Sequence, residues 1–206
     1  MTVLARSELL ERMSADLSER LVITPLLDER QLGPASIDLR LGSEFLVLKR
    51  TQSAGFDPGD VGEETPQLHE RFAVPLGEGL WLHPGQFLLG STLEFVRLPP
   101  TLAGFLTGRS SWARLGLVVE SAGLVQPNYA GTLTYELANA GDSPIRLYPG
   151  LRVAQIAIHP VAGEAALEGV PQYASKYDSA IGPEPSRLAW DHDELAKVLA
   201  VGRAMR

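Results

Sequence analysis

GTLTYELANAGDSPIRLYPGLRVAQIAIHP, residues 131–160, decides the fold class. From Thr132 to Leu137 the chain alternates, with Leu133, Tyr135 and Leu137 on one side and Thr132, Thr134 and Glu136 on the other. A period of two marks a strand half-buried in a sheet. Asn139 to Pro144 reads as a polar turn, and the run from Ile145 to Pro160 as the next strand, with a turn signal at Pro149-Gly150. The same texture extends upstream, in EGLWLHPGQFLLGSTLEFVRLP (78–99), with a turn signal at Pro84-Gly85, and in ASIDLRLGSEFLVL (35–48). Strand-sized apolar runs cut by Gly and Pro at short intervals predict an antiparallel sandwich or barrel. A polar Gly/Pro/Glu-rich insert separates two of them at 53–68.

The two ends read differently. Ser7 is a candidate cap for an N-terminal helix in which Leu9, Leu10, Met13, Leu17 and Leu21 recur near helical spacing, ending before Pro25. Asp191 to Leu199 reads as a closing helix, with Leu195, Val198 and Leu199 on one face and Asp193 and Lys197 four apart on another. No internal repeat or low-complexity tract interrupts the 206 residues, which suit a single domain.

Composition narrows the function. With 18 Lys+Arg against 25 Asp+Glu, the net charge of -7 repels polyanions, so nucleic acid is not an expected partner. A small anion remains a candidate ligand, because a few local cations outweigh a diffuse opposing charge within a Debye length of roughly 8 Å. The absence of cysteine removes disulfides, thiolate metal sites and thiol nucleophiles. No stretch approaches the roughly 20 apolar residues of a membrane helix, and the start lacks a signal-peptide core, so the expectation is a soluble cytoplasmic protein with no membrane partner.

Two places carry candidate chemistry. In TGRSSWARLGL (107–117), Ser110 or Ser111 can cap a short helix, Trp112 and Leu115 can form its buried side, and Gly116 can end it. Helix-start N–H groups, serine hydroxyls and Arg109 make a competent phosphate site, with bidentate arginine adding orientation. The same residues equally suit a capped surface helix with solvated arginines. Glu136 lies either on a wet sheet face or in a polar pocket, where desolvation would raise its pKa and suit it to move protons.

GRSSWARLGL (108–117), followed by SAG (121–123), by P-x-Y-x-G-x-L at Pro127 to Leu133 and by Glu136-Leu137, resembles the dCTP deaminase family of the dUTPase-like superfamily. ASIDLRLGSEF (35–45), LHPGQFLLGSTLEFVRLP (82–99), PGLRVAQI (149–156) and SKYDSAIGPEPSRL (175–188) agree in the same order. The resemblance spans about 5–188 and leaves 189–206 as a C-terminal helical extension.

It implies a distorted β-barrel or jelly-roll-like fold, a homotrimer with sites between subunits, and hydrolytic deamination of dCTP to dUTP and ammonia, feeding thymidylate synthesis, with no metal at the reacting carbon. By similarity, Glu136 is the general base and acid, Ser110 and the Ala122 carbonyl position the attacking water, and Arg114 orients Glu136 and the nucleotide. Arg109, Ser110 and Ser111 match phosphate-binding positions, Lys176 and Tyr177 the tail over the triphosphate, and Tyr129 the aromatic beside the sugar. Magnesium is expected to arrive on the triphosphate, since hard cations lean on substrate oxygens and water. Zinc is not expected: His192-Asp193-Glu194 matches H-x-E, but the cysteine half of a zinc deaminase motif is missing.

Two positions depart from the family pattern. Gln126 stands where many relatives carry an aspartate that contacts the sugar and in dUTPases activates water, a role closed to an amide. Ala180 replaces a phosphate-contacting glutamine. Two other readings follow: a dUTPase-like or altered-substrate hydrolase, and a nucleotide-binding trimer without catalysis.

Overall fold

The computed structural model describes residues 2–49, 69–120, 123–162, 177, 179–187, 197, 198, 200 and 201. The insert at 53–68 lies outside them, as does most of the expected closing helix, of which Lys197 and Val198 are described and helical.

The chain opens with α1 (Arg6–Ser14). Its start differs from expectation: Ala5, not Ser7, is the N-cap, and its N–H donates to the Glu8 carboxylate at 2.8 Å. The helix is also shorter than the leucine spacing predicts. Ala15 is already extended, and the returning chain donates Leu21 N–H to the Arg12 carbonyl at 3.0 Å, satisfying an end the helix leaves open. Leu9 and Leu21 reach the core by separate routes, while Leu10 and Leu17 stay exposed. Burying a leucine such as Leu9 contributes about 2 kcal/mol.

The strands are β1 (Val22–Thr24), β2 (Ile37–Arg40), β3 (Glu44–Leu48), β4 (His69–Ala73), β5 (Leu80–Leu82), β6 (Phe87–Arg97) and β7 (Leu102–Gly108). After the one-turn helix α2 (Ser110–Ala113) come β8 (Leu117–Glu120), β9 (Leu124–Val125), β10 (Ala130–Asn139), β11 (Ile145–Leu147) and β12 (Arg152–Pro160). The run expected as one strand from 145 to 160 is therefore two, broken at Tyr148-Pro149-Gly150, where Gly150 takes φ +88.

One sheet has the order β4-β3-β6-β10-β8, with β1 also on β6. A second has β2-β12-β7-β9, and β11 pairs β5 apart from both. These pairings are antiparallel, as short turn-linked strands require. Among the described residues the sheets do not close into a barrel; the architecture is a mainly β, distorted jelly-roll-like arrangement. Leu133, Tyr135 and Leu137 of β10 join Val153, Ile156 and Ile158 of β12 in one continuous core.

β6 organises the larger sheet. β10 takes one edge along most of its length, while β1 and β3 share the other at opposite ends. Between them lies the β2–β3 corner, where Leu41 bridges Thr92 and Gly42 N–H donates to the Ser91 carbonyl at 2.7 Å.

Candidate active site

β7 ends at Gly108 and the chain turns at once into α2. Arg109 is its N-cap, and no side chain caps the helix; Ser110 and Ser111 are exposed on the first turn. With one turn, the helix supplies little aligned dipole, so any affinity for anions here rests on guanidinium and hydroxyl groups. Trp112 packs half-buried against the core and its indole N–H donates to the Arg152 carbonyl at 2.9 Å. Leu115, expected beside it, is exposed because Gly116 at φ +90 ends the turn and diverts the chain toward Gly141. Arg114 is exposed, and its N–H donates to the Ser110 carbonyl at 3.1 Å.

Arg109 is anchored, not solvated on all sides. Its Nε lies 3.3 Å from Asp38 Oδ2, and Arg152 Nη1 lies 3.2 Å from the same oxygen. The Asp38 side chain is 14% exposed. Burial pushes its carboxyl above the ordinary 3.8, against the opposing pull of Arg109, Arg152 and Arg40. Asp38 and Arg152 were not singled out from sequence. In I-D-L-R an acid between two buried aliphatics reads as the wet face of a strand, and nothing local announces its two arginine partners.

Glu136 lies at the centre of β10, opposite Leu89 of β6 and Glu120 of β8. The expected alternation holds: Leu133, Tyr135 and Leu137 are buried, and Thr132, Thr134 and Glu136 are half-buried on the other face. That face is not open to bulk water along its length. Residues 179–184 run beside it, with Ser179 N–H donating to the Ala130 carbonyl at 2.7 Å and Thr132 N–H to the Ala180 carbonyl at 2.9 Å. Gly182 N–H donates to the Thr132 hydroxyl at 2.9 Å, and Glu184 N–H to the Thr134 hydroxyl at 3.1 Å. Ala180 is buried where Gly131 lets the two backbones approach.

Tyr129 is buried, and its hydroxyl donates to the Thr132 carbonyl at 2.6 Å. Gln126 is exposed at the start of the turn before it; Asn128 takes φ +66, suiting a type II turn with Pro127 ahead. Tyr177 is partly exposed, accepts the Arg187 N–H at 3.1 Å and lies under the Arg187 guanidinium. Ala122 and Lys176 lie outside the described residues.

The expected residues thus fall into two groups. Arg109, Ser110, Ser111 and Arg114 gather at the end of the smaller sheet, while Glu136, Tyr129 and the tail gather on the larger one. β8 links them: it follows α2 directly and pairs with β10 with Glu120 in register with Glu136. Among the described residues, no three His, Cys, Asp or Glu side chains cluster as a metal site, and no helix is long and apolar enough to cross a membrane.

In class, this is a mainly β chain with the fold of a solved nucleotide deaminase. Its backbone matches the crystal structure of the 2'-deoxycytidine 5'-triphosphate deaminase from Agrobacterium tumefaciens with a TM-score of 0.58 and 24% identity, over 76% of this chain and 46% of that one. The chain therefore spans less than half the length of that solved protein.

The sequence carries the match further. The model of the dCTP deaminase-like family fits residues 3–161. A "dCTP deaminase, dUMP-forming" of Methanobrevibacter smithii is 40% identical over 176 residues, covering 84% of this chain and 90% of the relative. A "dCTP deaminase" of Halorubrum lacusprofundi is 39% identical over 191 residues, covering 92% of each. The chain belongs to the dCTP deaminase-like family.

Proposed function

We propose that this chain is a dCTP deaminase that releases dUTP and ammonia, with Glu136 as its proton carrier. The observation that carries the reading is the setting of Glu136: a half-buried carboxylate on a strand face partly roofed by the tail, in a chain whose family match covers 3–161.

The chemistry follows from the side chains. Glu136 takes a proton from a water held by Ser110 and the Ala122 carbonyl, and the resulting hydroxide oxygen attacks C4 of the cytosine ring. Glu136 passes that proton to the ring nitrogen N3, then takes the proton of the new C4 hydroxyl and gives it to the amine; the C4–N bond breaks, ammonia leaves, the C4 oxygen becomes a carbonyl, and the ring is uracil. Positioned proton transfer of this kind supplies roughly a hundredfold to ten-thousandfold in rate. Arg114 orients Glu136 and the nucleotide, and Tyr129 lies beside the sugar.

Arg109, Ser110 and Ser111 hold the triphosphate, joined by Lys176 and Tyr177 from the tail. Asp38 supports this role for Arg109, because a guanidinium tied through Nε is pre-oriented before the anion arrives. Magnesium comes with the substrate and neutralises its phosphate oxygens, which asks for no protein ligand cluster. No metal acts at C4 in this mechanism.

The product divides the family's named members: the Methanobrevibacter relative is called dUMP-forming and the Halorubrum relative is not. Gln126 favours dUTP here, since an amide cannot deprotonate a water for attack on phosphorus. The proposed assembly is a homotrimer with sites between subunits. Its support in the fold is the outer face of β7, β9 and β12, where Phe105 and Leu124 stand directly opposite each other, 47% and 54% exposed, beside Ala103 and Ala157.

Chromatography of products from dCTP with magnesium, with and without a zinc chelator such as phenanthroline, tests the reading. It predicts dUTP and ammonia in both. dUMP with pyrophosphate would assign the bifunctional reaction despite Gln126, and bound but unchanged dCTP would reduce the chain to a nucleotide-binding protein.

A further inference from the structure

β6 and β10 do not run in one register. Ala130 to Thr132 pair with Arg97 to Phe95, but Thr134 pairs with Ser91 and Glu136 with Leu89. Between Phe95 and Ser91, β6 carries Thr92, Leu93 and Glu94 opposite the single residue Leu133. This is a bulge with two extra residues on the β6 side. Continued from Thr132, the undisturbed register would set Glu136 opposite Ser91, two residues away, or about 6.7 Å along the strand. An even shift keeps every side chain on its own face, so the bulge moves Glu136 along the sheet without turning it over.

The bulge is held by side chains with no other evident task. The Thr92 hydroxyl accepts the Leu133 N–H at 2.9 Å and donates to the Glu94 carbonyl at 2.6 Å, serving one backbone group on each strand at the break. Glu94 is fully buried, and its carboxylate accepts the Arg40 N–H at 2.9 Å and the Gln31 amide at 2.8 Å. The extra residues are thereby tied to β10 on one edge and to β2 on the other.

We propose that Thr92, through the bulge it closes with Glu94, is a positioning residue that sets Glu136 at the level of Leu89 and so aligns it for proton transfer. This rests on the role of Glu136 given above. Thr92 touches neither substrate nor reacting atoms; it acts through the register of β10.

The test compares Thr92→Val, which keeps shape and removes the hydroxyl, with Thr92→Ser, which keeps the hydroxyl, in the full-length chain. Expected for Thr92→Val is a fall in kcat for ammonia release of at least tenfold with KM for dCTP changed less than threefold, and for Thr92→Ser a kcat within threefold of the parent. A valine variant with kcat within twofold of the parent overturns the proposal. Where valine lowers the folded fraction, kcat is scaled to nucleotide-titrated sites and Thr92→Ala is set against Thr92→Ser; equal rates overturn it, and a tenfold gap supports it. Should the parent release no ammonia from dCTP, the role of Glu136 falls separately, and the register is read directly. A crystal structure of Thr92→Val with Glu136 moved off Leu89 supports the positioning, and one with the parent register refutes it.

Discussion

Glu94 is an acid with nowhere to meet water, and the fold answers with directed N–H groups. Burial raises its carboxyl above the ordinary 4.5, while the N–H groups of Arg40 and of Glu94 itself, the Gln31 amide and the Arg40 charge pull the other way. Between the unfolded and the raised folded value, the native state binds more protons than the unfolded one. Stability from this group is therefore lost as pH rises through that window. Asp28 acts in the opposite sense: Arg30 holds it down to about 2, so its contribution is present above 3.8 and lost as pH falls toward the lower value. Glu94→Gln removes the titration, whatever its fixed effect on packing. Its melting temperature relative to the parent should rise as the pH is raised above the ordinary 4.5. A difference independent of pH would mean that Glu94 does not titrate on folding.

At the scale of elements, the tail's seat on β10 depends on Gly131. It holds φ +154, and a Cβ there would meet the Ala180 nitrogen at 2.8 Å and its carbonyl oxygen at 3.0 Å, both backbone atoms that cannot rotate away. Gly131→Ala should cost roughly 1–3 kcal/mol in denaturant unfolding and speed hydrogen exchange at Ser179 and Gly182; unchanged exchange would show that the close approach is dispensable. The strands themselves were legible because alternation survives translation into burial: Leu133, Tyr135 and Leu137 are buried as their spacing predicts. Their register was not, because Ser-Thr-Leu-Glu-Phe reads as uninterrupted strand while its hydroxyl and carboxylate pair with residues far along the chain. The length of the N-terminal helix was hidden for a related reason. Leucine spacing continues past Ser14, yet the Arg12 carbonyl takes its partner from Leu21 across a loop, a contact no periodicity encodes. At α2, the reversal at Gly116 was readable, but the helix itself already ends at Ala113 and Leu115 is exposed, since one turn has no room for a buried stripe.

For the whole molecule, a chain of net charge -7 would, on the proposed function, collect a polyanionic substrate against its own field. Arg109, Arg114 and Arg152 at one corner of the smaller sheet supply the local reversal, and Asp38 keeps two of them from drifting into solvent. Their group and the Glu136 group lie on different sheets, and a site shared between protomers would bring such halves together. If the outer face of β7, β9 and β12 is the trimer contact, Phe105→Glu should sediment as a monomer and lose activity with assembly, because a carboxylate there cannot be buried unpaired; a trimeric variant would remove that face from the interface. The central claim is that one carboxylate moves the protons of deamination. Its most direct test is ammonia release from dCTP by the parent and by Glu136→Gln at matched nucleotide occupancy: the account predicts release by the parent and at least a thousandfold less by the variant, whereas equal release would contradict it.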